Sequence, residues 1–345
     1  MRNTPSQPSV PVPRTRRPAP PCRVPTHVPI AHLVRGDLVE GVHHGSLAVL
    51  GPTGDVMLEA GDTEAAFYPR SALKPLQAVA MVRAGLPIRE ELLALAAGSH
   101  SGEERHVTVA RWILAHGDLA EEDLRNPPDL PYGSLARDAW LRRGLGPSRL
   151  AHNCSGKHAA MLLTCQVRGW STKDYLDPGH PLQREIAATI EEFTGQSVAA
   201  VSADGCGAPL FAVSLRGLAR AARQLAVAVP TDAAAARVAT AMRAHPEMVG
   251  GTGRDVTRLM RALPGLLAKD GFEGVQFAAL RDGRAVAVKI SDGGDRARMP
   301  VTAAALERAG VNPALLTAFA TTPVTGGGMS VGELRAVGLL AGALS

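Results

Sequence analysis

Ser71-Ala72-Leu73-Lys74-Pro75 places a hydroxyl and an amine three residues apart. On a helix, positions i and i+3 share a face. A neutral amine there can take the serine proton and leave a nucleophile. The helix N-terminal dipole and any nearby positive charge favour the neutral amine. Pro75 falls in the first helical turn, where a missing N–H costs little. Taken alone, S-x-x-K is a short pattern, and a capping serine beside a solvated lysine also explains it.

A second candidate is Gly98-Ser99-His100-Ser101-Gly102-Glu103-Glu104. Ser101 followed by Glu104 reads as a capping box before an amphipathic helix. That leaves Ser99 as the freer hydroxyl and His100 as a base or a structural histidine. A third is Lys289, at the end of the strand Ala285–Ile290 and before Ser291-Asp292-Gly293-Gly294. Alternation puts Lys289 on one face with Ala285 and Ala287, whose small side chains leave room for a ligand. The plain alternative is an edge-strand lysine that limits aggregation. A fourth is Asn153-Cys154-Ser155-Gly156-Lys157-His158, with Asp204-Gly205-Cys206 later. Two cysteines and a lysine could gather at a zinc ion with Asp204 as ligand or neighbour. Buried free thiols explain the spacing as well.

Composition sharpens these choices. Of 37 basic residues only five are lysine, at positions 74, 157, 173, 269 and 289. A surface cation can be either residue, but a compact amine with a tunable pKa cannot be arginine. The formal net charge is +5, and residues 1–28 carry five arginines, eight prolines and no acid. The basic excess therefore belongs to an N-terminal extension expected to be disordered or polyproline-like. It lacks the apolar run of a secretory signal. With 46% hydrophobic and 20% charged residues, the rest of the chain can bury a sizeable core. Four cysteines exclude a disulfide scaffold, and 3% aromatics argue against base-stacking platforms. No apolar run is long enough for a transmembrane helix.

The elements that must position these groups follow from periodicity. Apolar runs around Gly51-Pro52-Thr53-Gly54 predict a hairpin within residues 30–60. Helical spacing predicts helices over 72–85, 89–97, 102–116, 155–168, 182–194, 207–226 and 233–244. Runs at 275–280 and 285–290 predict a second hairpin, and 331–340 a last strand. Strands at both ends with helices between them predict an α/β (α+β) fold. It would be an antiparallel sheet covered by helices, with a helical subdomain, in one catalytic domain over residues 29–345.

The order of S-x-x-K, a loop serine and a late strand lysine resembles the serine β-lactamases and penicillin-binding proteins. Ser99-His100-Ser101 and Lys289-Ile290-Ser291 depart from the usual second and third motifs of those enzymes. The fuller set is similar to the asparaginase II family, the rhizobial-type, serine-β-lactamase-like L-asparaginases. It comprises Arg70–Gln77, Ser99–Glu103, Asn153–His158, His180–Arg184, Asp204–Pro209, His245–Arg254 and Lys289–Gly293.

The resemblance implies hydrolysis of L-asparagine to L-aspartate and ammonia. It implies Ser71 with Lys74 as one Ser-Lys pair, Ser71 being the nucleophile, and Ser99 with Lys289 as the other. It implies that Cys154, Lys157 and Cys206 hold Zn2+, one per chain, near the substrate rather than as a water activator, with Asp204 beside it. Arg70 or Arg254 is expected to bind the substrate carboxylate, and Asp204 is expected to contact the substrate as well. Backbone N–H groups at Ser71 and on the Lys289 strand are expected to stabilise the oxyanion. The expected partners are L-asparagine and a second copy in a homodimer, with no nucleic acid and no membrane, in the cytoplasm. Two other readings compete: a penicillin-recognising hydrolase or peptidase, and a non-catalytic amide-binding relative.

Overall fold

The computed structural model describes residues 24–228 and 232–338. Residues 1–23 of the expected extension, with Cys22, lie outside the described residues, as do positions 339–340 of the expected last strand. β1 (Val28–Arg35) and β2 (Leu38–Leu50) form a hairpin, and β3 (Val56–Ala60) returns along the end of β2. β4 (Ala66–Phe67) precedes a 3-10 turn at Arg70–Leu73 and α1 (Lys74–Arg83). The helical region continues with α2 (Glu90–Ala96), α3 (Glu104–Ala115), α4 (Ser134–Arg142), α5 (Ser155–Arg168) and α6 (Pro181–Thr194). Then come β5 (Ala200–Ala203), β6 (Pro209–Ser214), α7 (Leu215–Val227), α8 (Ala233–Ala244), α9 (Pro246–Val249) and α10 (Asp255–Ala262). β7 (Leu267–Gly271), β8 (Val275–Ala279) and β9 (Ala285–Ile290) form a meander. α11 (Arg298–Arg308), α12 (Pro313–Leu316), β10 (Thr321–Gly326) and β11 (Met329–Ala336) complete the described chain.

The main sheet is antiparallel, in the order β10-β11-β1-β2-β9-β8-β7, with β3 also on β2. Both ends of the described chain meet in it, since Leu33 of β1 stands opposite Leu334 of β11. β4, β6 and β5 form a small separate sheet. α7 and α11 pack on β9, an interior strand, and α1 packs among α5, α6 and α8. α7 buries Leu215, Leu218, Ala222 and Leu225 at helical spacing. Its arginines at 216, 220 and 223 fall at the intervening positions, so one stripe covers the sheet. This is the α+β arrangement expected from the sequence, an antiparallel sheet covered by helices with a helical region between strand sets.

Two local expectations are corrected. Residues 207–226 are not one helix. Phe211 and Val213 alternate in β6, and Ser214 then caps α7 by accepting from the Gly217 N–H. Ser101 is not the cap of α3. Glu103 holds that position, its N–H donating to His106 Nδ1 at 3.0 Å. The Ser101 hydroxyl donates instead to the Gly250 carbonyl.

Candidate active site

Ser71 sits in the 3-10 turn that joins the small sheet to α1. Its neighbour Arg70 has φ +54°, the left-handed region, which costs a non-glycine residue about 1–2 kcal/mol. Two guanidinium nitrogens of Arg70 hold Asp204 Oδ1, at 2.8 and 2.6 Å, and the guanidinium lies 5.3 Å over the Phe272 ring. These contacts pin the turn from outside. Arg70 and Asp204, both expected to bind substrate, therefore bind each other.

Ser71 and Ser99 open into one narrow cleft of about 20 Å3, which Asn153, Arg254, Asp270 and Tyr132 also line. Among the described residues, no hydrogen bond engages the Ser71 hydroxyl. Lys74 is 1% exposed. Its Nζ donates to Ser99 Oγ at 2.9 Å, to Gly98 O at 2.8 Å and to Cys154 Sγ at 3.1 Å. The expected first pair is thus rearranged: the S-x-x-K lysine bonds the second serine. Three acceptors use all three N–H bonds of an ammonium.

Ser99 is the second hydroxyl of the cleft, since Ser101 is spent on Gly250. His100 is structural. Its Nδ1 accepts from the Gly102 N–H at 3.1 Å, so Nε2 carries the proton and faces Ser155 Oγ at 2.9 Å. Burial, then His106 and Lys74, hold it neutral, well below the usual histidine range.

Lys289 is not brought to Ser99. Its Nζ donates to the carbonyls of Glu273 and Ile290. The physical reason is topological. β9 pairs with β2 on one side and β8 on the other, so its backbone has no free edge, and the Lys289 amine is spent on two nearby carbonyls. The edge belongs to β7, where Lys269-Asp270-Gly271 packs against the Ser71 turn. A Cβ on Gly271 would stand 2.4 Å from Pro69 O and 3.4 Å from Ala72 Cβ, so only glycine permits this approach. Strand alternation puts Lys269 on the same face as that contact. Lys269 is 0% exposed, and its Nζ donates to Asp270 O and Oδ1, each at 2.6 Å. Burial pushes its pKa down to about 8, with Asp270 opposing and Lys74 and Arg254 adding to the fall. Asp270 also accepts from Arg254 at 2.7 Å, while Arg254 NH1 is buried without a hydrogen-bond partner.

Cys154, Lys157 and Cys206 do come together. Lys157 Nζ donates to Cys206 Sγ at 3.2 Å, and Cys154 and Cys206 pack in one cluster. Gly156 makes this possible, because a Cβ there would stand 2.6 Å from Leu95 Cγ and force α5 off α2. Cys154, opposed by burial and helped by the charge of Lys157, lowers the pKa of the Cys206 thiol far below its usual range. Asp204 Oδ2 lies 3.9 Å from that sulfur. Two sulfurs and one amine are a donor set that suits zinc with an open position, once the amine sheds its proton. Among the described residues no three His, Cys, Asp or Glu side chains converge as a metal site, so the fit depends on Lys157.

The family model for L-asparaginase II matches residues 31–336. The chain belongs to the L-asparaginase II family. As such it is an L-asparaginase-type amidohydrolase by family. No curated protein matches this sequence. Among solved structures, a β-lactamase from Mycobacterium bovis is 16% identical, with 77% of this chain and 95% of that one covered and a TM-score of 0.44. EstCE1, a hydrolase with promiscuous acyltransferase activity, is 12% identical over 77% of this chain and 93% of its own, with a TM-score of 0.43.

In this L-asparaginase II chain, the residues missed from the sequence are Lys269, Asp270 and Gly271. The signal was present, because Lys269 is one of only five lysines and stands in an apolar run ending in Asp-Gly. Tyr132 was also missed. It lies in a Pro-Tyr-Gly loop without periodicity, 4.8 Å beneath the Arg254 guanidinium.

Proposed function

We propose that the protein hydrolyses the side-chain amide of L-asparagine to L-aspartate and ammonia through a Ser71 ester. The observation that carries this is the shared cleft. A hydroxyl without a hydrogen bond, at Ser71, faces a space bounded by the Lys74-bonded hydroxyl of Ser99.

Two of the three buried lysines, Lys74 and Lys269, divide the proton work. A neutral amine has two N–H bonds and a lone pair, and Lys269 uses two N–H bonds on Asp270. With its pKa near 8, Lys269 is the base that takes the Ser71 proton. Ser71 Oγ then bonds to the amide carbon. The oxyanion is met by the Ser71 N–H, in the first turn of its helix, and by the edge backbone of β7. Lys74, which donates to three acceptors including Ser99, serves as the acid. It passes a proton through Ser99 to the leaving nitrogen, the C–N bond breaks, and ammonia departs. Water, deprotonated through Ser99 by the now neutral Lys74, then attacks the ester carbon, and protonated Lys269 returns its proton to Ser71 Oγ as the C–O bond breaks. These roles place Lys269 where Lys289 was expected. Arg254 NH1, buried and unpaired, supports binding of the substrate α-carboxylate there rather than at Arg70.

Cys154, Cys206 and Lys157 are the residues that would hold zinc. A zinc ion there would supply Lewis acidity beside Asp204 and shape the pocket wall.

Ser71→Ala tests the reading. The side chain is half-buried and makes no hydrogen bond, so the fold is retained. Ammonia release from L-asparagine should fall by at least about a thousandfold. Near-wild-type release would refute the Ser71 ester.

A further inference from the structure

The catalytic cleft opens into a larger chamber. Tyr132, Arg254 and Asp295 line both spaces. The chamber measures about 710 Å3 and is walled by four arginines, Arg254, Arg258, Arg296 and Arg298, and two carboxylates, Asp255 and Asp295. The charges are not evenly matched. Arg298 takes both carboxylates, Asp255 at 2.7 Å and Asp295 at 3.1 Å. Arg254 takes Asp270, which belongs to the inner cleft.

Arg258 and Arg296 are left over. Both are exposed, and among the described residues neither forms an ion pair. Each is nonetheless held in place. The Arg258 guanidinium rests 5.5 Å over the buried Phe319 ring. Arg296 Nε donates to His43 Nε2 at 3.3 Å. These contacts occupy a ring face and one N–H and leave the forked N–H pairs free. Two guanidiniums without counter-charge, on one chamber, match a ligand with two carboxylates, which arginine binds in two-pronged fashion.

We propose that this chamber is a second binding site, for small dicarboxylates. Such a ligand would sit beside Arg254 and compete with the substrate. One consequence rests on the asparaginase reading. L-Aspartate carries one more carboxylate than L-asparagine, so the chamber would retain the product and inhibit by it.

Succinate is the probe, because it has both carboxylates and no amide to hydrolyse. Calorimetry at low ionic strength should show it binding to the wild-type protein and equally to Ser71→Ala, so the measurement does not depend on turnover. Arg258→Gln and Arg296→Gln should each weaken succinate about tenfold, the scale of one lost charged hydrogen bond. Both variants should keep the wild-type kcat for ammonia release, and their melting curves report folding. In that assay succinate should raise KM without lowering kcat, and less so in the variants. Unchanged succinate affinity in the double variant would overturn the proposal. So would an absence of binding to the wild type at millimolar succinate, or equal inhibition by sodium chloride of matched ionic strength, which screening alone produces.

Discussion

Lys74 Nζ and Ser99 Oγ are 2.9 Å apart, although 25 residues separate them and Ser71 is one turn away from Lys74 in the chain. The pairing crosses from α1 to the loop after α2. It makes the second serine, not the first, the immediate partner of the S-x-x-K amine.

Lys74→Met therefore acts through Ser99. It should lower kcat for ammonia release by about 100-fold or more, the usual scale of a lost general acid. It should also cost about 1–3 kcal/mol of stability, because the buried Gly98 carbonyl loses its donor. Ser99→Ala should reproduce the loss in kcat with a smaller stability cost. Denaturant melts beside steady-state assays separate the two effects. A Ser99→Ala variant with full kcat would remove Ser99 from the proton route.

The pH dependence follows from Lys269. The base must be neutral, so kcat/KM should rise with pH through an inflection near 8 and fall tenfold per unit below it. Asp270 raises that pKa, so Asp270→Asn should move the inflection to lower pH. The same shift sets stability. Lys269 has a folded pKa below its ordinary 10.5. Between about 8 and that value the unfolded chain binds more protons, so stability contributed by this group rises with pH in that window. A pH–rate profile of both proteins checks the sign, and an upward shift in Asp270→Asn would be incompatible with Lys269 as the base.

Gly271→Ala should damage activity more than folding. Its methyl group would need the space of Pro69 O, so β7 must retreat from the Ser71 turn or the turn must move. Overpacking of this kind costs about 1–3 kcal/mol. A shift of about 1 Å at the reacting groups costs about 100-fold in rate. Measured Tm and kcat on the same preparation should show a modest fall in the first and a large fall in the second.

Zinc content is a direct measurement. Protein prepared without chelators should carry about one zinc per chain by elemental analysis. Cys206→Ala removes one sulfur ligand and should lose that metal. Metal-free wild-type protein from such a preparation would leave Lys157 and Cys206 as the hydrogen-bonded pair seen here.

The sequence by itself determined the elements and most of the chemical groups. Helices 155–168 and 233–244 begin and end where their periodicity places them, because apolar spacing and caps are local properties. Ser71, Ser99, Cys154, Lys157 and Cys206 were legible because rare residue types stood in short patterns. Tertiary structure alone decided the pairings. Lys269 and Lys289 look alike in sequence, each near the end of an apolar run before a glycine turn. Only strand order, with β7 at the edge and β9 between two neighbours, selects which lysine's strand packs against the Ser71 turn. Arg70 and Arg254 each hold a carboxylate, and they became distinct only because Arg254 also lines the cleft with a buried, unpaired NH1 among the described residues. Hydrogen bonds between groups distant in the chain depend on packing, and packing is a property of the whole sheet and its helices rather than of any motif.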